Sequence, residues 1–204
     1  NRYRGFVGEV QSWAVLNNVH VKNADIISTY TRTGTLIGHS TSSNALVHNC
    51  SVKNSKITST YKGNYVQVVG GLIGGSESTG VVSVQNCFAD NLAIYVEDAY
   101  ACSAVGGIIG TMVAGSSIEN CYIVNSNIYS AYKATGGIIG AVARNTYFTT
   151  SRYVMNHVLV DAVISSPTDN LGGFVGYSAV PNDSQEICGF FLGQVYSTNK
   201  MEAA

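Results

Sequence analysis

Gly70-Gly71-Leu72-Ile73-Gly74, followed ten residues later by Val84-Gln85-Asn86-Cys87, is the stretch whose reading decides the fold. Its first half recurs six times, as Gly5-Phe6-Val7-Gly8, Gly34-Thr35-Leu36-Ile37-Gly38, Gly70 to Gly74, Gly106-Gly107-Ile108-Ile109-Gly110, Gly136-Gly137-Ile138-Ile139-Gly140 and Gly172-Gly173-Phe174-Val175-Gly176. The closing glycines lie 30, 36, 36, 30 and 36 residues apart, as a constant core with one loop of variable length would give. Fixed-period self-similarity is the mark of a repeat architecture.

The second half recurs in phase with the first: Leu16-x-Asn18-Val19, Val47-x-Asn49-Cys50, Val84-x-Asn86-Cys87, Ile118-x-Asn120-Cys121 and Val154-x-Asn156-His157, with Cys188 left in a degenerate sixth copy. Five residues after each Asn comes Asn23, Asn54, Asn91, Asn125 or Asp161. Three further on comes Ile26, Ile57, Ile94, Ile128 or Ile164. Each repeat therefore offers three short strands separated by Gly, Asn, Ser and Thr turns. One repeat cannot bury its apolar positions alone, but stacking like on like makes a continuous core. The expectation is an all-β chain, a right-handed parallel β-helix (β-solenoid) of about six coils, each of 30–36 residues, because parallel crossovers take the right hand. An up-and-down barrel or a propeller is the alternative; blades of ~40–50 residues and Trp-Asp signatures fit poorly with a single Trp.

Composition agrees. The 204 residues carry 22 glycines, two prolines and only 11% charged side chains, with a formal net charge of −1. That is strand-and-turn chemistry. It leaves no basic face for a nucleic acid, and no apolar run approaches the ~20 residues of a membrane span. The chain starts at Asn1 without initiator Met or signal peptide, and reads as one domain, residues 1–204, cut from a larger protein.

Stacking turns aligned positions into columns. Leu16, Val47, Val84, Ile118 and Val154 form one apolar column, the isoleucines a second, and the apolar pairs of the glycine motif a third. The Asn columns suit left-handed corners bonded from one coil to the next. Cys50, Cys87, Cys121, His157 and Cys188 form a column that resembles a zinc ligand set. Ligands on a line cannot occupy tetrahedral corners, and parallel Cβ vectors fit a disulfide torsion badly. A ladder of buried thiols is the plainer reading, with no metal and no cofactor. Asn49-Cys50-Ser51 and Asn182-Asp183-Ser184 match the glycosylation acceptor pattern. Asn49 falls in the presumed inward ladder, which leaves Asn182 as the candidate.

No catalytic constellation is present. The twelve acidic residues are scattered, the four histidines occupy different repeat positions, and HExxH and GxSxG are both missing. The chain is therefore read as no enzyme. The candidate ligand-binding residues are Tyr30, Tyr61 and Tyr132, from Ile26-x-Ser28-x-Tyr30, Ile57-x-Ser59-x-Tyr61 and Ile128-x-Ser130-x-Tyr132, with Tyr95 and Tyr100 in the corresponding region of the third repeat. Turned outward, they would form an aromatic platform for sugar rings or a protein; turned inward, they cover the core at a corner.

The paired motifs, strongest at Gly70 to Gly74 with Val84 to Cys87 and at Gly106 to Gly110 with Ile118 to Cys121, resemble the GLUG repeat. The resemblance implies an extracellular or cell-surface repeat segment, as in adhesin-like proteins and the non-catalytic part of immunoglobulin-A-cleaving metallopeptidases. It implies no catalytic residue. The function expected is a non-catalytic structural or adhesive module, a rigid rod that binds protein or glycan at a surface or associates end to end into filaments. The alternative is an accessory, glycan- or substrate-binding domain of a secreted enzyme whose catalytic part lies elsewhere.

Overall fold

A computed structural model describes residues 3–41, 44–63, 65–76, 79–97, 104–131, 134–143, 151–167, 170–178, 188–192, 195–197 and 200–203, with backbone alone at 143, 151–153, 178, 188–192, 195–197 and 201–203. Among these residues every regular element is a strand, and every strand pairing is parallel. Two six-stranded sheets and one of twelve strands result.

The first sheet joins Tyr3–Arg4, Arg32–Gly34, Val68–Gly70, Ala104–Gly106, Thr135–Gly136 and Leu171–Gly172 in chain order. The second joins Val7–Val10, Ile37–Ser40, Ile73–Ser76, Ile109–Val113, Ile139–Ala143 and Val175–Ser178 in the same order. The third and largest is built around Ser51–Ser59, Phe88–Val96, Ser117–Ser130 and Ser151–Ser166. In the first two sheets, and in the third as far as its fourth repeat, a residue pairs with its sequence equivalent one repeat away.

Alternation sends one set of side chains inward. Ile57, Ile94, Ile128 and Ile164 face each other in register and are buried, with Ile26 partly buried at the head of the column. Leu36-Ile37, Leu72-Ile73, Ile108-Ile109 and Ile138-Ile139 are buried as pairs, because the chain bends between the first and second sheets just before them. Each such side chain contributes roughly 1.5–3 kcal/mol by leaving water.

Close approach explains the glycines. A Cβ on Gly70 would stand 1.8 Å from the Ile73 carbonyl oxygen, and one on Gly74 would stand 2.2 Å from the Gly38 oxygen. Backbone packs directly on backbone where the first sheet turns into the second. Positive φ is not the reason, since Gly115 is the one described glycine that adopts it.

The left-handed conformation belongs instead to asparagine. Asn18, Asn49, Asn86 and Asn120 at the first corner, and Asn23, Asn54, Asn91 and Asn125 at the second, have φ between 48° and 57°. Serines repair the ladder where it bends. Ser55 Oγ donates to the Lys53 oxygen (2.8 Å) and accepts from the Ala24 N–H (3.1 Å), and Ser126 does the same for Val124 (2.7 Å) and Leu92 (3.1 Å).

Register corrects the expected columns in the fifth and sixth repeats. Ile118 pairs with Met155, not Val154, which lies opposite Ser117. The shift puts exposed His157 at the left-handed corner of the Asn column, with φ 50°, and gives the cysteine position to Val158. A bulge then sets Val124 and Asn125 against Asp161 alone, which restores Ile164 to its column. Cys188 lies opposite Ser151, and Val195 continues the cysteine column.

Candidate functional surface

The thiol column contains Cys50, Cys87 and Cys121, all buried and all free. Each Sγ donates to carbonyl oxygens: Cys50 to His48 (3.2 Å), Cys87 to Gln85 (3.1 Å) and Cys121 to Glu119 (3.2 Å). Burial raises the Cys50 pKa, and the Cys121 side chain together with burial raises that of Cys87. Raised thiols are poor nucleophiles and poor metal ligands. Met155, Val158 and Val160 continue the same apolar interior below them.

The Asn corners face outward, which corrects the inward placement expected of Asn49. It is exposed, and its Nδ2 donates to Asn17 Oδ1 (3.2 Å). Equivalent bonds join Asn91 to Asn54 (3.0 Å), Asn120 to Asn86 (3.2 Å) and Asn125 to Asp90 (3.0 Å). These amides link one repeat to the next from outside. Asn182 lies outside the described residues.

Tyr30 and Tyr61 come two residues after the strands that end at Ser28 and Ser59, so neither ring belongs to the regular alternation of its strand. Both are half-buried. The Arg4 guanidinium lies 5.7 Å from the centre of the Tyr30 ring. The Tyr61 ring lies against Gly63, where a Cβ would approach its Oη to 2.1 Å, and Oη accepts the Tyr65 N–H (3.4 Å). Each ring thus has its own local partner. Tyr132 and Tyr100 lie outside the described residues. Tyr95 does not share this position: it sits on a strand, opposite Thr58 and Tyr129.

The outward aromatic columns are elsewhere. Phe88 and Tyr122 stack at 4.7 Å with planes 6° apart, and Lys53 Nζ lies 4.8 Å from the Phe88 centre on the other repeat. Tyr95 and Tyr129 lie 5.4 Å apart with planes tilted by 37°. Burial, then the neighbouring Asp90 charge, raises the Tyr122 pKa. In both columns rings turn towards each other along the ladder, so they tie repeats together more than they offer a flat platform. The signal was available in the sequence: Phe88 and Tyr122 each follow a Cys, and Tyr95 and Tyr129 each follow an Ile of the core column.

A buried polar group closes the corner between the largest and first sheets. Ser28 Oγ and Thr33 Oγ1 are 2.6 Å apart, Gln67 Nε2 donates to Ser59 Oγ, and Ser59 Oγ donates to the Ser28 oxygen (3.4 Å). A second lies in the first two repeats, where His39 is buried, its ring 4.5 Å from that of Tyr3, with Arg32 5.6 Å above the Tyr3 ring. Burial and then the Arg32 charge hold the His39 pKa down at about 3. It is neutral at physiological pH.

No family model matches the chain, and neither the curated proteins nor the solved structures include a significant match.

Proposed function

We propose that the chain is a right-handed parallel β-solenoid of about six coils, a GLUG-type repeat segment that acts without catalysis as a structural or adhesive module at a cell surface. One observation carries the reading: between Tyr3 and Ala203 parallel ladders join strands of successive repeats, so the sheets run from repeat to repeat. Low charge and an outer face laced by Asn pairs and aromatic pairs support a stiff module with large lateral surfaces. Protein or glycan partners would meet those surfaces.

Localisation tests the proposal. Antibodies to the chain should label intact source cells or their secreted matrix, and external protease should remove the label. Label that appears only after the cells are opened would reject a surface role.

A further inference from the structure

Among the described residues, Tyr95 and Tyr129 are the one pair of tyrosines whose rings meet. Tyr3 lies against His39 and Tyr122 against Phe88, whereas Tyr95 and Tyr129 lie against each other with ring centres 5.4 Å apart. The ladder enforces the meeting. The two residues are in-register partners on parallel strands, so both side chains leave the same face and carry like atoms to like heights. Thr58 precedes them in the column and Ser165 follows, so each ring has one oxidisable neighbour along the ladder. Tyr95 is 44% exposed and Tyr129 is half-buried, which leaves the pair open to a reagent from solvent. The free thiols of Cys50, Cys87 and Cys121, which would quench a tyrosyl radical, are buried in the core.

We propose that Tyr95 and Tyr129 form an oxidative coupling site, which a haem peroxidase with hydrogen peroxide converts into a covalent dityrosine link between the third and fourth repeats. The unpaired electron of a tyrosyl radical is shared between Oη and the two Cε carbons beside it, so two adjacent radicals join through carbon. Each phenol gives up one electron and its proton to the oxidant. A carbon–carbon bond then forms between Cε of one ring and Cε of the other, and the displaced ring hydrogens move to the phenol oxygens. Together the rings lose two hydrogen atoms, and one hydrogen peroxide is reduced to two waters. The link lies along the ladder, where the rings already tie one repeat to the next. It closes the chain between Tyr95 and Tyr129 into a loop, and so restricts the unfolded state as a disulfide does. The inference rests on ladder register and ring geometry, not on the surface location, and the tests are separate.

The dilute purified chain, treated with a plant-type haem peroxidase and a stoichiometric amount of hydrogen peroxide, provides the test. A monomer with dityrosine fluorescence is expected, and it should melt at a higher temperature than the untreated chain. Glu97 and Glu119 lie between the two tyrosines. Cleavage at glutamate followed by mass spectrometry should therefore find the Tyr95 and Tyr129 peptides joined, lighter than their sum by two hydrogen atoms. Tyr95→Phe and Tyr129→Phe keep a ring in the column, so each should melt as the untreated parent does and lose nearly all of the monomer fluorescence. No product under conditions that couple free tyrosine, coupling only between molecules, a joined pair without Tyr95 or Tyr129, or monomer fluorescence that survives either variant would each overturn the proposal. Surface labelling of a chain that does not couple would leave the functional proposal standing without it.

Discussion

An L-residue with a Cβ resists the left-handed conformation by roughly 1–2 kcal/mol, and asparagine offsets part of that with local hydrogen bonds. Asn86 adopts φ 52° and also accepts from Asn120, so Asn86→Ala should lose about 1–2 kcal/mol in urea unfolding, and Asn86→Gly less. The Asn columns were legible in the sequence for this reason. His157 was not, because it holds the same conformation without the same side chain. His39 makes a pH prediction. Its folded pKa of about 3 lies below the usual 6.5, so the unfolded chain takes the proton first. Stability contributed by this group is fully present above pH 6.5, falls by at most about 1.4 kcal/mol per pH unit on acidification towards pH 3, and levels off below. His39→Thr, which copies Thr111 from the same column, should flatten the decline when urea midpoints are compared at pH 7, 5 and 4.

Strands and corners were legible wherever two motifs agreed in phase. Gly70 to Gly74 with Val84 to Cys87 located a tight turn, a core strand and a corner correctly, because each residue type answers a local steric demand. The fifth repeat deceived for a physical reason. Asn156-His157 imitates Asn-Cys one residue early, and the bulge opposite Asp161 cancels the offset before Ile164, so both outer landmarks still match. Ladder register, which alternation alone does not fix, decides such cases. The aromatic pairs went unseen because they flank the landmark residues and do not replace them. At this scale the glycines give the sharpest test. Gly110→Ala would place a methyl 2.4 Å from the Gly74 oxygen and 2.7 Å from the Val69 oxygen, backbone atoms with no room to yield. A loss of at least about 2–3 kcal/mol is expected, measured by thermal or urea unfolding against Gly8→Ala, whose added Cβ would find its nearest atom, the Tyr3 oxygen, at 3.8 Å.

Across the whole molecule, contacts join neighbouring repeats, and the first and last repeats lie at opposite edges of every sheet. Parallel strand order along the sheets follows the order of the glycine motif, whereas which residues lie opposite each other emerged only from the ladders. That placement has a mechanical consequence. A load applied at the two chain ends acts across the strands, so it opens hydrogen bonds in succession instead of shearing a whole ladder together. Extension should therefore peel the molecule repeat by repeat at low force. Each event would release one 30- or 36-residue period, roughly 100 or 120 Å of chain. Single-molecule pulling should record a series of small, nearly equal steps; one large rupture would mean that the repeats yield together.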